Sequence, residues 1–494
     1  MADEIIFQIL KKRYIMKKLL LLFLICIISI SGCKNKSPEN NETLNTIADL
    51  ITDGNLSRAK ALADSLSRIT KNETIKWKAD SLSQISSRIL LGFSLSQHDI
   101  DSILKETGLN FTPSELEKFE NIGWLEYRII DNEKKYFNRA ASNLILLKKF
   151  NENRAVPDSA LAANPRLLLR KNNILEIIKK SSESGAPAGS VNVEILYTIT
   201  VKPDIVPPGE TIRCWLPFPK ENHERQRDVY LLGISNEENF LLSPDSVVHR
   251  TIYMEEKARA GEPAIFRVAY SYVTSGQYFD PEKLKISSYN KNSEIYKIFT
   301  KEQPPHICFT DDVKHLADSL AGNETNSYNI VKKFYYWINN NIPWTNALEY
   351  SIIPNIPEYT LKHRRGDCGM QTFLLMSMLR YKGIPVRWQS GWTIQPGAEN
   401  LHDWCEVYYE GTGWVPVDVS YGLQYSTDNK VREFYITGID SYRMIVNDGV
   451  AGNLYPTKKF LRSDPFDFQR GEVEWDGGNL FYDKWDYNIR ITYR

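Results

Sequence analysis

Cys368 stands in Arg365-Gly366-Asp367-Cys368-Gly369-Met370-Gln371, directly ahead of an apolar run from Phe373 to Leu379. A cysteine at the start of a helix faces unpaired backbone N–H groups and the positive end of the helix dipole, which favour thiolate. Gly366 and Gly369 keep side chains away from it and allow a substrate backbone to come close. A lowered pKa and an open line of attack are what a nucleophilic cysteine needs. Among the seven histidines, His402 has the best context for the accompanying base. It lies in Leu401-His402-Asp403-Trp404-Cys405-Glu406-Val407, which reads as a strand. There His402, Trp404 and Glu406 share one face, while Asp403 and Cys405 share the other, so Cys405 turns away from the imidazole. Glu410-Gly411-Thr412-Gly413 turns into a second strand, Trp414-Val415-Pro416-Val417-Asp418. Pairing Tyr408 with Trp414 brings Asp418 to the His402 face, whereas a slip to Tyr409 reverses it. In the first register Asp418 can hold the imidazole in its productive tautomer.

The elements that position these residues read as mixed. Helical spacing covers Ile47 to Ile69, Thr74 to Leu91, a segment opened by the capping box Thr112-Pro113-Ser114-Glu115 and continuing through Tyr127 and Ile130, Lys134 to Phe150, and Leu167 to Ile178. A Gly/Ala/Pro/Ser stretch at 181–190 is a linker by composition, after which the period switches to two. Val191, Val193, Ile195, Tyr197, Ile199 and Val201 form one face, and similar alternation around Cys214 and Tyr270 predicts a β-sandwich. The expected division is 1–33 leader, 34–185 helical region and linker, 186–290 β-sandwich, and 291–494 the core with its C-terminal strands. The fold class is α+β.

The N-terminus predicts a compartment. Met16-Lys17-Lys18 precedes twelve mostly apolar residues, Leu19 to Ile30, and then Ser31-Gly32-Cys33. A basic start, a short apolar run and small residues describe an export leader, and the run is short of the ~20 residues that span a bilayer. Ile30-Ser31-Gly32-Cys33 resembles the lipobox of bacterial lipoproteins, which implies lipidation of Cys33, a bilayer as partner through the acylated N-terminus, and an envelope location facing the periplasm or the cell surface. The chain has 61 basic and 61 acidic residues, and losing the leader leaves it slightly acidic, so nucleic acid is excluded as a partner on charge. Beyond Cys26 and Cys33 four cysteines remain, with no C-x-x-C pair to hold a metal. His402 and Glu406 at i and i+4 lie about 13 Å apart on a strand, so they do not make a metal site. No metal or cofactor is expected.

The order of these pieces resembles the transglutaminase-like superfamily, a papain-like cysteine fold. The resemblance covers roughly residues 325–425: Trp337-Ile338, Ile342-Pro343-Trp344, Gly366-Asp367-Cys368-Gly369, Gly383-Ile384-Pro385-Val386-Arg387, His402-Asp403-Trp404-Cys405-Glu406 and Gly413 through Asp418. A β-domain often precedes such a core, and the whole chain resembles envelope lipoproteins of Bacteroidetes-type bacteria. The resemblance implies Cys368 as nucleophile, His402 as base and acid, and Asp418 as orienter. It also makes Trp344 a candidate for assisting the oxyanion, beside the backbone N–H of Cys368. The implied chemistry is attack on an amide of a peptide or protein through a thioester, which water resolves in a hydrolase and an amine in a cross-linking acyltransferase. An inert binding or scaffold protein would keep the fold without the reaction.

Overall fold

Gly54 splits what the spacing predicts as one helical run. Its φ is +83°, and an added Cβ would lie 2.3 Å from the Ile129 carbonyl oxygen, so the chain turns there. The computed structural model describes residues 38–108, 110–152 and 164–494. The leader and Cys33 lie outside the described residues. The first compact unit runs to Glu152 and also takes in Pro304–His306 and Thr345–His363. It contains α1 (Pro38–Thr52), α2 (Leu56–Ile69), α3 (Glu73–Gly92), α4 (Gln97–Glu106), α5 (Pro113–Asn121) and α6 (Ala140–Glu152). The Thr112 box forms: the Thr112 hydroxyl accepts from the Glu115 N–H at 3.3 Å, and the Thr112 N–H donates to the Glu115 carboxylate at 2.8 Å. The helical spacing beyond it is overruled. Residues 127–136 form a hairpin of β1 (Tyr127–Ile130) and β2 (Glu133–Tyr136). Asp131 and Asn132 both take positive φ, +49° and +67°, the tight hairpin turn that short polar side chains tolerate.

The second unit takes in the remaining residues, 153–303, 307–344 and 364–494. Helix α7 (Pro165–Ser181) belongs here and not with the helices before it. Strands β3 (Ala188–Val201), β4 (Thr211–Pro217), β5 (Gln226–Ile234), β6 (Phe240–Leu242), β7 (Thr251–Lys257) and β8 (Ala264–Tyr278) supply two antiparallel sheets. The region that carries Cys368, His402 and Asp418 follows with α8 (Asp311–Ala321), α9 (Ser327–Asn341) and α10 (Cys368–Tyr381). Strands β9 (Val386–Thr393), β10 (Asn400–Tyr409), β11 (Gly413–Val417) and β13 (Arg443–Asn447) form a sheet in the order β11-β10-β9-β13, while β12 (Gly438–Ile439) pairs with β8.

The C-terminus departs from the expected division at 291. Strands β14 (Glu472–Trp475), β15 (Gly478–Leu480) and β16 (Trp485–Tyr493) return to the β-domain: β14 pairs with β4, and β16 runs the length of β3 from Trp485 opposite Val201 to Tyr493 opposite Val193. The alternating face of β16 thereby extends the alternating face of β3 across the sheet, and the edge of β3 is covered. Trp392 of β9, Ile394 just after it, and Met444 and Val446 of β13 are buried in the same cluster as Val193, Tyr197, Trp215 and Tyr270. One continuous core therefore ties the β-domain to the sheet that carries His402. Helix α10 is buried on every side from Cys368 to Arg380, as expected of a helix at the centre of a domain.

Candidate active site

The turn into α10 is built for a small residue. An added Cβ at Gly366 would come within 2.8 Å of the Met370 Cβ. The Gly366 N–H donates to the Pro343 carbonyl at 3.2 Å, which ties the turn to the segment holding Trp344. Asp367 caps the helix, accepting from the Met370 N–H at 3.0 Å. Cys368 is therefore the first helical residue, with 9% of its surface exposed.

Strand β10 carries His402. Tyr408 pairs with Trp414 and Cys405 with Val417, the register that sends Asp418 to the His402 face. His402 Nε2 lies 2.7 Å from Asp418 Oδ2. Asp418 Oδ1 accepts from the Ser420 and Tyr421 N–H groups, each at 3.1 Å. The imidazole meets the Tyr421 ring edge-on at 4.9 Å. Cys405 points the other way, its thiol 3.7 Å from the Val417 carbonyl. Glu406, the carboxylate on the His402 face of β10, is committed to Arg387 at 2.7 Å and Arg225 at 3.2 Å.

Sequence reasoning misses Arg443. From β13 it lies 2.9 Å from Asp418 Oδ2 through Nη1, and its Nη2 donates to Asp440 at 2.5 Å. The Asp418 contact is an ion pair without hydrogen-bond alignment at Nη1. Burial pushes the Asp418 carboxyl up, but His402, Arg443 and the hydrogen bonds outweigh it and hold the pKa down to about 2. Burial also lowers the His402 pKa; Asp418 opposes this and Arg443 reinforces it, with a net lowering. Both partners shift down: at His402 burial, with Arg443 behind it, outweighs the carboxylate, and at Asp418 the two cations and the hydrogen bonds outweigh burial. Nothing in spacing could have found Arg443, which reaches the site from a strand beyond the His402–Asp418 hairpin.

The structure unites His402 with Asp418 and gives Cys368 a different partner. The thiol donates to Asp403 Oδ2 at 3.3 Å, and among the described residues it has no hydrogen bond to His402. Asp403 is the strand neighbour of His402, so the sulfur lies beside that end of β10. The depressed thiol pKa expected of a helix start is not found. Burial raises it, the Asp403 and Asp367 carboxylates add to the rise, and the Asp403 backbone N–H opposes it. Trp344 is 44% exposed and bridges through its backbone to Gly366. Among the described residues no disulfide joins any two of Cys214, Cys308, Cys368 and Cys405.

Comparison with known proteins adds the family. Residues 314–419 match the sequence profile of the transglutaminase-like superfamily. The uncharacterized protein YebA of Bacillus subtilis (strain 168) is 24% identical over 173 residues, 31% of this chain and 23% of that one. The chain thus spans about a quarter of that relative's length. A cysteine-protease candidate from Cytophaga hutchinsonii aligns with a TM-score of 0.42 at 16% identity, covering 62% of this chain and 91% of that one. The periplasmic domain of TgpA from Pseudomonas aeruginosa aligns with a TM-score of 0.25 at 13% identity, covering 51% and 91%. The matched stretch opens in α8 and closes just beyond Asp418, so the chain carries a core of the transglutaminase-like superfamily.

Proposed function

We propose that this protein is a cysteine-dependent hydrolase of amide bonds in peptide or protein substrates, held at the bacterial cell envelope by a lipid on Cys33. Cys368 is the nucleophile, His402 the base and acid, and Asp418 the orienter. The observation that carries the reading is the 2.7 Å contact from His402 Nε2 to Asp418. It puts the proton on Nε2 and leaves the Nδ1 lone pair to take a proton. The Cys368 sulfur attacks the carbonyl carbon, its proton passing to His402, and an S–C bond forms. The tetrahedral oxyanion is met by the Cys368 N–H at the start of α10, with Trp344 as a further candidate donor. The C–N bond then breaks, the amine leaves with the proton from His402, and the acyl group remains as a thioester. Water, deprotonated by His402, completes hydrolysis.

The test uses the full chain with a panel of peptides and a fluorescent primary amine. Peptide cleavage that is lost in Cys368→Ala and His402→Ala, without incorporation of the amine, is the expected result. Incorporation of the amine would replace hydrolysis by cross-linking. No acyl-enzyme on Cys368 with any peptide would leave a scaffold and overturn the reading. Metabolic labelling with a fatty-acid analogue, expected in the wild type and absent in Cys33→Ala, tests the anchor.

A further inference from the structure

Asp403 is a buried carboxyl that the triad does not use, and it touches the reacting atom. Its Oδ2 accepts from the Cys368 thiol at 3.3 Å, while its Oδ1 accepts from Gln469 Nε2. Asp467 pairs with it, and that hydrogen bond together with the Asp467 charge favours a proton on Asp403. Asp467 is fixed in turn: the Ser390 hydroxyl of β9 donates to it at 2.5 Å, and Asn447 of β13 donates to Ser390 at 2.8 Å. Its backbone N–H donates to Asp464 at 3.0 Å. The charged groups facing this assembly are Asp367 at the head of α10, and Asp464 and Arg462 on the segment before β14. Burial pushes Asp403, Asp464 and Asp467 all up; the Asp467 charge adds to the rise at Asp403 and Asp464, and Asp367 adds to it at Asp403, while at Asp467 the hydrogen bonds from Ser390 and Asp403 oppose it.

We propose that Asp403 is a further catalytic residue: in the resting enzyme it keeps the proton on the Cys368 sulfur, and the Asp403–Asp467 pair sets the pH at which the nucleophile forms. A carboxylate accepting a thiol proton stabilises the thiol, and the same negative charge opposes a thiolate in its place. Asp467 moderates this, because the proton it favours on Asp403 reduces the charge that Asp403 presents to the sulfur. The two carboxyls therefore act on the thiol with opposite sign. This inference rests on Cys368 as the nucleophile of the proposed function.

The experiment is alkylation of the full chain by iodoacetamide across pH, followed by mass mapping of the Cys368 peptide. In that reaction the sulfur loses its proton to solvent, forms a bond to carbon and releases iodide. Asp403→Asn removes the acceptor and its charge, so the half-labelling pH falls by about one unit and labelling below the midpoint quickens about tenfold. Asp467→Asn removes the neighbouring charge that favours a proton on Asp403, so Asp403 ionises more readily beside the thiol, the midpoint rises and labelling slows. Opposite shifts support the proposal, whereas a merely structural role moves both variants alike. An unmoved or raised midpoint in Asp403→Asn overturns it. If Asp403→Asn does not fold, Asp467→Asn decides alone: an unchanged or lowered midpoint overturns it. Peptide cleavage surviving in Cys368→Ala would instead remove the functional reading, while the alkylation profile would still judge Asp403.

Discussion

Asp418→Asn tests the geometry of the hairpin most directly. The two oxygens of Asp418 have separate duties: Oδ1 takes the Ser420 and Tyr421 N–H groups, and Oδ2 faces His402 and Arg443. In asparagine the two backbone donors keep the oxygen at the Oδ1 position, so the NH2 falls at the Oδ2 position. That group donates, so His402 must accept at Nε2 and carry its proton on Nδ1, the nitrogen needed as base. Loss of the carboxylate also leaves Arg443 with Asp440 alone. The depression of the Asp418 pKa from 3.8 to about 2 corresponds to roughly 2 kcal/mol at neutral pH. Because the folded pKa lies below the unfolded one, this stability is full above about pH 4 and is lost as the pH falls through 2. Unfolding in urea at pH 7 should show the variant about 2 kcal/mol weaker, and the gap should shrink to roughly half by pH 3. Selective 15N labelling of histidine then reads the tautomer, Nε2–H in the wild type and Nδ1–H in the variant. A variant that keeps Nε2–H, or a stability gap independent of pH, would refute the reasoning.

Three further outcomes follow from the same contacts. Arg443→Met removes the cation that pushes His402 down, so the His402 midpoint read by 15N shifts should rise, with a stability loss of ~3 kcal/mol or more from two bereft carboxylates; Arg443→Lys should keep the charge and lose less. An unmoved His402 midpoint in the methionine variant would exclude the coupling. Gly391→Ala in β9, opposite His402 and Ile445, would put a Cβ 2.0 Å from the Met444 carbonyl oxygen, so the sheet must open at a cost of about 1–3 kcal/mol, read by urea unfolding. Wild-type stability in that variant would contradict the close approach. Buried His249 lies well below 6.5 and His306 at about 3, burial being the first cause of both, so each favours the neutral ring. Stability should therefore be full above about pH 6.5 and fall below it by up to ~1.4 kcal/mol per pH unit per histidine, and His306→Asn should flatten that slope.

The candidate site residues were legible because their side-chain types and strand alternation are local properties. Cys368 before an apolar helix, His402 on a strand and Asp418 one hairpin later need only the two periodicities, and the Tyr408–Trp414 pairing then fixes the face. The hairpin at 127–136 was not legible in the apolar spacing, which fits a helix equally well; the turn residues Asp131 and Asn132 carried the signal instead. Arg443, Asp467 and Gln469 were beyond reach for a different reason. Each meets the site through the closing of long loops, and no sequence rule links Asp403 to a carboxyl 64 positions away. The return of β16 to β3 is likewise a long-range pairing, visible in sequence as an alternating strand without an identified partner.

Alternation along β10 explains why the site has two charge systems. Position 402 faces Asp418 and Arg443, while position 403 faces Cys368, Asp467 and Gln469. On one side burial and Arg443 keep the imidazole neutral; on the other burial and Asp403 keep the thiol protonated. Both biases disfavour the thiolate–imidazolium pair that attack requires, so the neutral pair is the resting state. Moving the proton from sulfur to imidazole changes no net charge, and burial by itself need not oppose it. The specific obstacle is the Asp403 hydrogen bond, and the specific help is the Asp418 carboxylate waiting for an imidazolium. A substrate that engages the sulfur and draws it from Asp403 removes the obstacle while the help stays in place. Reactivity would then rise with binding, which protects the resting thiol from unproductive alkylation or oxidation.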